Sequence, residues 1–139
     1  MTLEQDLRAI YEDTQTIAVV GASPDPSKPS HTRPRYLQSQ GYHIIPVTPR
    51  GGEVLGEPAY ASLSDVDVPI DVVNVFRPPD EVPDIARQAA AVGAKVLWTQ
   101  TGIESDEGAQ IARAAGMAVV MGRCMAQTHA DLGLGPGPD

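Results

Sequence analysis

At 139 residues the chain has the length of one domain, and an apolar content of 42% is enough to build a core. No stretch of about 18 apolar residues is present, so no membrane span is expected. One cysteine can make neither an internal disulfide nor a multi-cysteine metal cage, and a net charge of −8 argues against a nucleic-acid binder.

In chain order, Leu3 to Asp13 reads as a short helix with Leu3, Leu7, Ile10 and Tyr11 on one face, a brace or lid against the sheet. This acidic opening lacks a signal-peptide core, which points to a cytoplasmic protein. Thr16 to Val20, rich in β-branched residues, is a buried strand that ends in Gly21-Ala22-Ser23 and a Pro-rich turn. Ser30 to Gln40 follows as a helix, with Pro34 near its first turn and Gly41 as its stop. Tyr42 to Val47 is the second strand, and Pro46 suggests that its hydrogen bonding fails toward the end. A Gly/Pro-rich loop, Thr48 to Pro58, contains a candidate short strand at Val54-Leu55-Gly56. One helical turn, Ser62 to Val66, is expected to be capped by Ser62 or Ser64.

Ile70 to Phe76 is a nearly continuous apolar run, the pattern of a strand buried on both faces. An amphipathic helix is expected from Pro79 to Val92, stopped by Gly93, then a strand from Lys95 to Thr99. A helix from Ser105 to Ala115 ends at Gly116, Met117 to Met121 is the last strand, and Arg123 to Leu132 a final helix. The tail, residues 133–139, is expected to be frayed. Strands alternating with helices predict an α/β protein: a doubly wound parallel sheet with helices on both faces and ligands beyond the carboxyl ends of its strands.

Charge singles out one end of that sheet. From Pro26 to Gly52 there is no Asp or Glu, and Lys28, Arg33, Arg35 and Arg50 give the window +4 in a chain of net −8. It begins at the first strand-to-helix turn, where a phosphate would meet backbone amides and a helix N-terminus. Gly21, Ala22 and Ser23 are small enough to let an anion approach, although the turn has one glycine where the common dinucleotide fingerprint has three. The second strand ends in Val47-Thr48-Pro49-Arg50, with no carboxylate to hold the ribose of NAD. An arginine there suits an extra phosphate, the 2′-phosphate of NADP or the 3′-phosphate of coenzyme A.

At the third strand end, Phe76, Pro78 and Pro79 offer an apolar wall and Arg77 a second cation. Gln100 and Thr101 supply polar groups after the fourth, while Trp98 reads as core. Cys124 fits a small buried apolar residue better than a nucleophile. His31, His43 and His129 lack metal-site spacing, and neither a Ser/His/Asp set nor a Tyr-x-x-x-Lys pattern is found.

The stretches AVVGASPDPSKPS, IIPVTPRGGEVLGEPAYASLSDV, DVVNVFRPPDEV, WTQTGI and VVMGRC, in this order over nearly the whole chain, resemble the small stand-alone CoA-binding domain proteins. These are in turn similar to the N-terminal CoA-binding domain of the succinyl-CoA synthetase alpha subunit. The resemblance implies a Rossmann-like sheet of five parallel strands with CoA across its carboxyl edge. It implies that Gly21, Ala22 and Ser23 meet the CoA phosphates and that Val47, Thr48, Pro49 and Arg50 flank the adenosine end. Phe76, Arg77 and Pro78 would line the middle, Gln100 and Thr101 the pantetheine side, with Lys28 and Arg33 as further phosphate partners. The resemblance covers only the first domain of the synthetase subunit, and no counterpart of its second domain, with the phosphorylated histidine, is expected. The expectation is thus a single-domain protein that binds coenzyme A or an acyl-CoA without catalysis of its own, alone or for an unknown protein partner. The alternative is a small NADP-binding reductase.

Overall fold

The computed structural model describes residues 3–136. Five strands, β1 (Thr16–Val20), β2 (His43–Val47), β5 (Val72–Val75), β6 (Val96–Thr99) and β7 (Ala118–Val120), form one parallel sheet in the order β2-β1-β5-β6-β7. The chain runs from β1 outward to β2, then returns past β1 to β5. The strand order therefore reverses between β1 and β5, and their carboxyl ends flank the crevice of a doubly wound sheet.

Period-two side-chain alternation divides the core. Ala18, Ile45, Val73, Val75 and Leu97 face α3 (Val82–Ala91) and α4 (Asp106–Ala114), which contribute Val82, Ile85, Ala86, Ala89 and Ala112. Ile17, Val19, Ile44, Val72, Val96 and Trp98 face α1 (Leu3–Asp13), α2 (Pro29–Ser39) and α5 (Met125–Asp131), which contribute Leu7, Tyr11, Leu37, Met125 and Ala126. Trp98 is fully buried and its indole N–H donates to Arg123 O at 2.7 Å. Of the expected α1 stripe, Leu7 and Tyr11 are buried and Tyr11 donates its hydroxyl to Met125 O, but Leu3 is exposed. Asp71 accepts the Gln15 and Thr16 amides at 2.9 and 3.0 Å, which pins the start of β1 beside β5.

Several local expectations are corrected. Helix α2 starts one residue earlier than expected, with Pro29 at its first position, so Pro34 lies inside the helix rather than in its first turn. The Ser30 carbonyl, which Pro34 cannot engage, accepts the Ser23 amide at 3.3 Å instead, so the proline ties the helix to the turn after β1. Pro46 does not end the ladder of β2. Its carbonyl accepts Tyr60 N–H at 3.0 Å and Thr48 N–H donates to Tyr60 O at 2.8 Å, so residue 46 turns its missing donor to the outer edge of the sheet.

The loop after β2 holds a hairpin of β3 (Glu53–Val54) and β4 (Glu57–Pro58), with Leu55 and Gly56 both at positive φ, 56° and 76°. That is the twist a two-residue hairpin requires. Neither Ser62 nor Ser64 caps the short 3-10 turn Leu63–Asp65; Ser62 Oγ bonds Ser64 Oγ and Asp65. The expected helix from Pro79 divides into a 3-10 turn, Pro79–Glu81, and α3. Of the tail, residues 137–139 lie outside the described residues, while Leu134 donates its amide to His129 O at 3.4 Å and packs on the α1/α2/α5 core. No helix among the described residues is long and apolar enough to cross a membrane.

Candidate functional site

Two clefts open at the carboxyl edge, on either side of the β1–β5 crevice. The first, of about 260 Å³, is lined by Gly21, Ala22, Ser23, Pro24, Lys28, Ser30, Thr48, Pro49, Arg50, Phe76 and Arg77. It contains three cations and no carboxylate. Lys28 and Arg50 are in no ion pair among the described residues. Arg50 sits in the exposed turn after β2, closed by Gly51 N–H to Thr48 O at 3.0 Å.

The turn after β1 has few free donors, and they are well defined. Gly21 N–H is committed to Val47 O at 2.9 Å and Ser23 N–H to Ser30 O, which leaves the Ala22 amide without a partner among the described residues. Ser30, at the second position of α2, also has a free amide, since His31 and Thr32 both turn back to Lys28 O. Ser23 Oγ accepts Asp25 N–H at 3.1 Å, and Asp25 accepts the Ser27 amide and hydroxyl at 2.9 and 2.7 Å. Those two bonds hold the Asp25 carboxyl below the usual carboxylate range. His31 Nδ1 lies 2.8 Å from Ser23 O; a carbonyl can only accept, so Nδ1 carries the proton and Nε2 is the open nitrogen.

Gly21 is required here. Its φ is +92°, and a Cβ would meet Arg77 Cδ at 2.9 Å and Phe76 O at 3.0 Å. The ends of β1 and β5 thus touch through a position with room for hydrogen alone.

The second cleft, of about 320 Å³, lies on the α3 side and shares Gly21, Pro49 and Arg77 with the first. Val20, Val47, Leu63 and Ile85 give it apolar walls, and Ser62, Asp80, Glu81, Asp84 and Gln88 a polar rim. Arg77 is held here by Glu81, Nε to Oε1 at 3.1 Å and Nη2 to Oε2 at 2.7 Å. The paired guanidinium holds the Glu81 carboxyl below its ordinary range, and the bond to Glu81 in turn raises Arg77.

Of the residues singled out in the sequence, the structure gathers Gly21, Ala22, Ser23, Lys28, Thr48, Pro49, Arg50, Phe76 and Arg77 in the first cleft and places Val47 in the second. Arg33 is exposed on α2, and Pro78 is exposed before its 3-10 turn. Gln100 and Thr101 follow β6, one strand away; the Gln100 side-chain oxygen is buried without a partner and Thr101 is exposed. None of these four lines either cleft. Ser30 and, of the α3-side cleft, all the lining but Gly21, Val47, Pro49 and Arg77 were missed; for Ser30 the signal was Pro29, a residue suited to the first helical position. Cys124, half-buried, stands before α5 and its sulfur accepts Gln127 N–H at 3.4 Å.

Residues 15–130 match the CoA binding domain. The chain belongs to that family. It is similar to the uncharacterized protein YneT of Bacillus subtilis, with 38% identity over 125 residues, 90% of this chain and 93% of that protein. Among solved structures, cell-free ID.343 from Thermus thermophilus matches with a TM-score of 0.90 at 43% identity, over 94% of this chain and 99% of the other. The alpha subunit of ADP-forming acetate–CoA ligase II from Pyrococcus furiosus is 30% identical over 129 residues, 84% of this chain but 28% of the subunit. The family shares its domain type with a part of such ligases, and the chain spans a minor share of their length.

Proposed function

We propose that the protein binds coenzyme A or an acyl-CoA at the carboxyl edge of its sheet and holds it without transforming it, for a partner protein or for its own control. The observation that carries this is the first cleft: three cations, two uncommitted amides at a turn and a helix N-terminus, and no carboxylate. Such a surface suits several phosphates at once. Membership of the CoA binding domain family supports CoA over other nucleotides. In this reading the diphosphate lies on Ala22, Ser23 and Ser30, and Arg50 takes the 3′-phosphate. The adenosine turns into the α3-side cleft, against Val47, Leu63 and Ile85.

Calorimetric titration with CoA, dephospho-CoA and NADP tests this. A charge-assisted hydrogen bond contributes roughly 1.5–3 kcal/mol, so CoA is expected to bind roughly ten- to a hundredfold tighter than dephospho-CoA. Arg50→Ala should remove most of that difference while leaving dephospho-CoA nearly unaffected. Binding of NADP without binding of CoA would overturn the reading in favour of a reductase. Equal losses for both CoA ligands in Arg50→Ala would take the 3′-phosphate away from Arg50.

A further inference from the structure

Arg77 stands between the two clefts and lines both, yet its guanidinium is engaged by Glu81, which lines only the α3-side cleft. The aliphatic stem passes over Gly21, so the charged end lies within a side-chain swing of the phosphate turn. Both members of the pair are about half exposed, at 47% and 44%. An ion pair this open is weak, because water and salt screen it. A phosphate offers the same fork a more highly charged bidentate partner. Glu81 would not be stranded by the exchange. It faces solvent and occupies the position just before α3, where a helix N-terminus favours negative charge.

We infer that Arg77 and Glu81 form an exchangeable latch across the nucleotide cleft, in which Glu81 competes with a ligand phosphate for Arg77 and so sets the affinity of the site; this rests on the reading of the cleft as a CoA site. Arg77 pairs with Glu81 in the free protein and crosses to the phosphates when a ligand spans both clefts. Arg77 is then a specificity residue for the phosphorylated part of the ligand, and Glu81 its internal substitute.

Glu81 also adds negative charge near an anionic ligand, and the test separates that from the latch. Asp80 lines the same cleft with the same charge but makes no ion pair with Arg77. CoA is titrated into the wild-type protein, Glu81→Gln, Asp80→Asn, Arg77→Ala and the double variant Arg77→Ala/Glu81→Gln, each checked for folding by circular dichroism. Glu81→Gln is expected to tighten CoA about two- to fivefold, the strength of an exposed pair, by raising the association rate or slowing release. Asp80→Asn, which removes a charge from the same cleft without breaking a bond to Arg77, should tighten CoA distinctly less than Glu81→Gln. In the Arg77→Ala background, Glu81→Gln should have no more effect than the removal of one cleft charge in Asp80→Asn. The latch is overturned if Glu81→Gln leaves affinity unchanged, if Asp80→Asn tightens binding equally, or if the full gain persists without Arg77. Failure of every protein to bind CoA would remove the parent reading and the latch together, whereas wild-type binding without the Glu81 effect removes the latch alone.

Discussion

Gly21→Ala probes the geometry on which the site depends. The position has φ +92°, and the added methyl would sit 3.0 Å from Phe76 O, 3.2 Å from Phe76 C and 2.9 Å from Arg77 Cδ. The Arg77 stem can swing aside. Phe76 cannot, because its amide is bonded to Val20 O at 2.8 Å and closes the pairing of β1 with β5. The left-handed conformation costs an alanine about 1–2 kcal/mol, and forcing a methyl against fixed backbone about 1–3 kcal/mol more. The sum, about 2–5 kcal/mol, corresponds to a fall in Tm of roughly 8–20 °C at about 4 °C per kcal/mol for a chain of this size. Gly93→Ala is the matched control, with φ +75° and nothing within 4 Å of its Cβ. It should incur only the conformational cost. Urea unfolding followed by far-ultraviolet circular dichroism gives both values. Equal destabilisation of the two variants would refute the claim that β1 and β5 leave no room at Gly21.

Two further outcomes follow from the core. A Cβ on Gly108 would lie 2.6 Å from Val82 Cγ1 where α4 crosses α3, so Gly108→Ala should destabilise by about 1–2 kcal/mol despite alanine's better helix propensity; Val82→Ala in the same chain should recover part of it, and chemical denaturation of the two variants decides. His129 is fully buried, its Nδ1 2.9 Å from the Tyr36 hydroxyl, its ring against Tyr11, Tyr36 and Tyr42, and its Nε2 without a partner. Burial lowers its pKa below the ordinary histidine value, so between the two values the unfolded chain binds the extra proton. Stability is therefore full above about pH 6.5 and declines as pH falls below it, by at most about 1.4 kcal/mol per pH unit. His129→Phe should flatten that slope below about pH 6.5, and an unchanged slope would exclude His129 as its source.

Sequence patterning was enough for most of the elements because both faces of this sheet are covered. A parallel strand buried on two sides is a nearly continuous apolar run, as in Thr16–Val20 and, but for Asn74, Val72–Val75, and glycines stop the helices at Gly41, Gly93 and Gly116. The absence of acidic residues from 26–52 also survives folding as a local property. Lys28, Thr48, Pro49 and Arg50 reach one cleft with Gly21–Ser23 because β1 and β2 are adjacent and parallel, so their carboxyl ends emerge together.

Tertiary structure decided what depends on elements distant in the chain. Pro34 reads as a first-turn proline until Ser23 is seen to take the carbonyl it leaves free. Pro46 reads as a strand breaker until Tyr60 closes the outer edge. Gln100 and Thr101 are polar residues after a strand, as Thr48 and Arg50 are, but their strand stands one place beyond the crevice. The α3-side cleft has no local signature, because Leu63, Val47 and Ile85 come from three separate segments that meet only when the sheet is covered. Charge and periodicity are local and can be read along a chain; the partner of a charge and the walls of a cleft depend on strand order, which is set by packing.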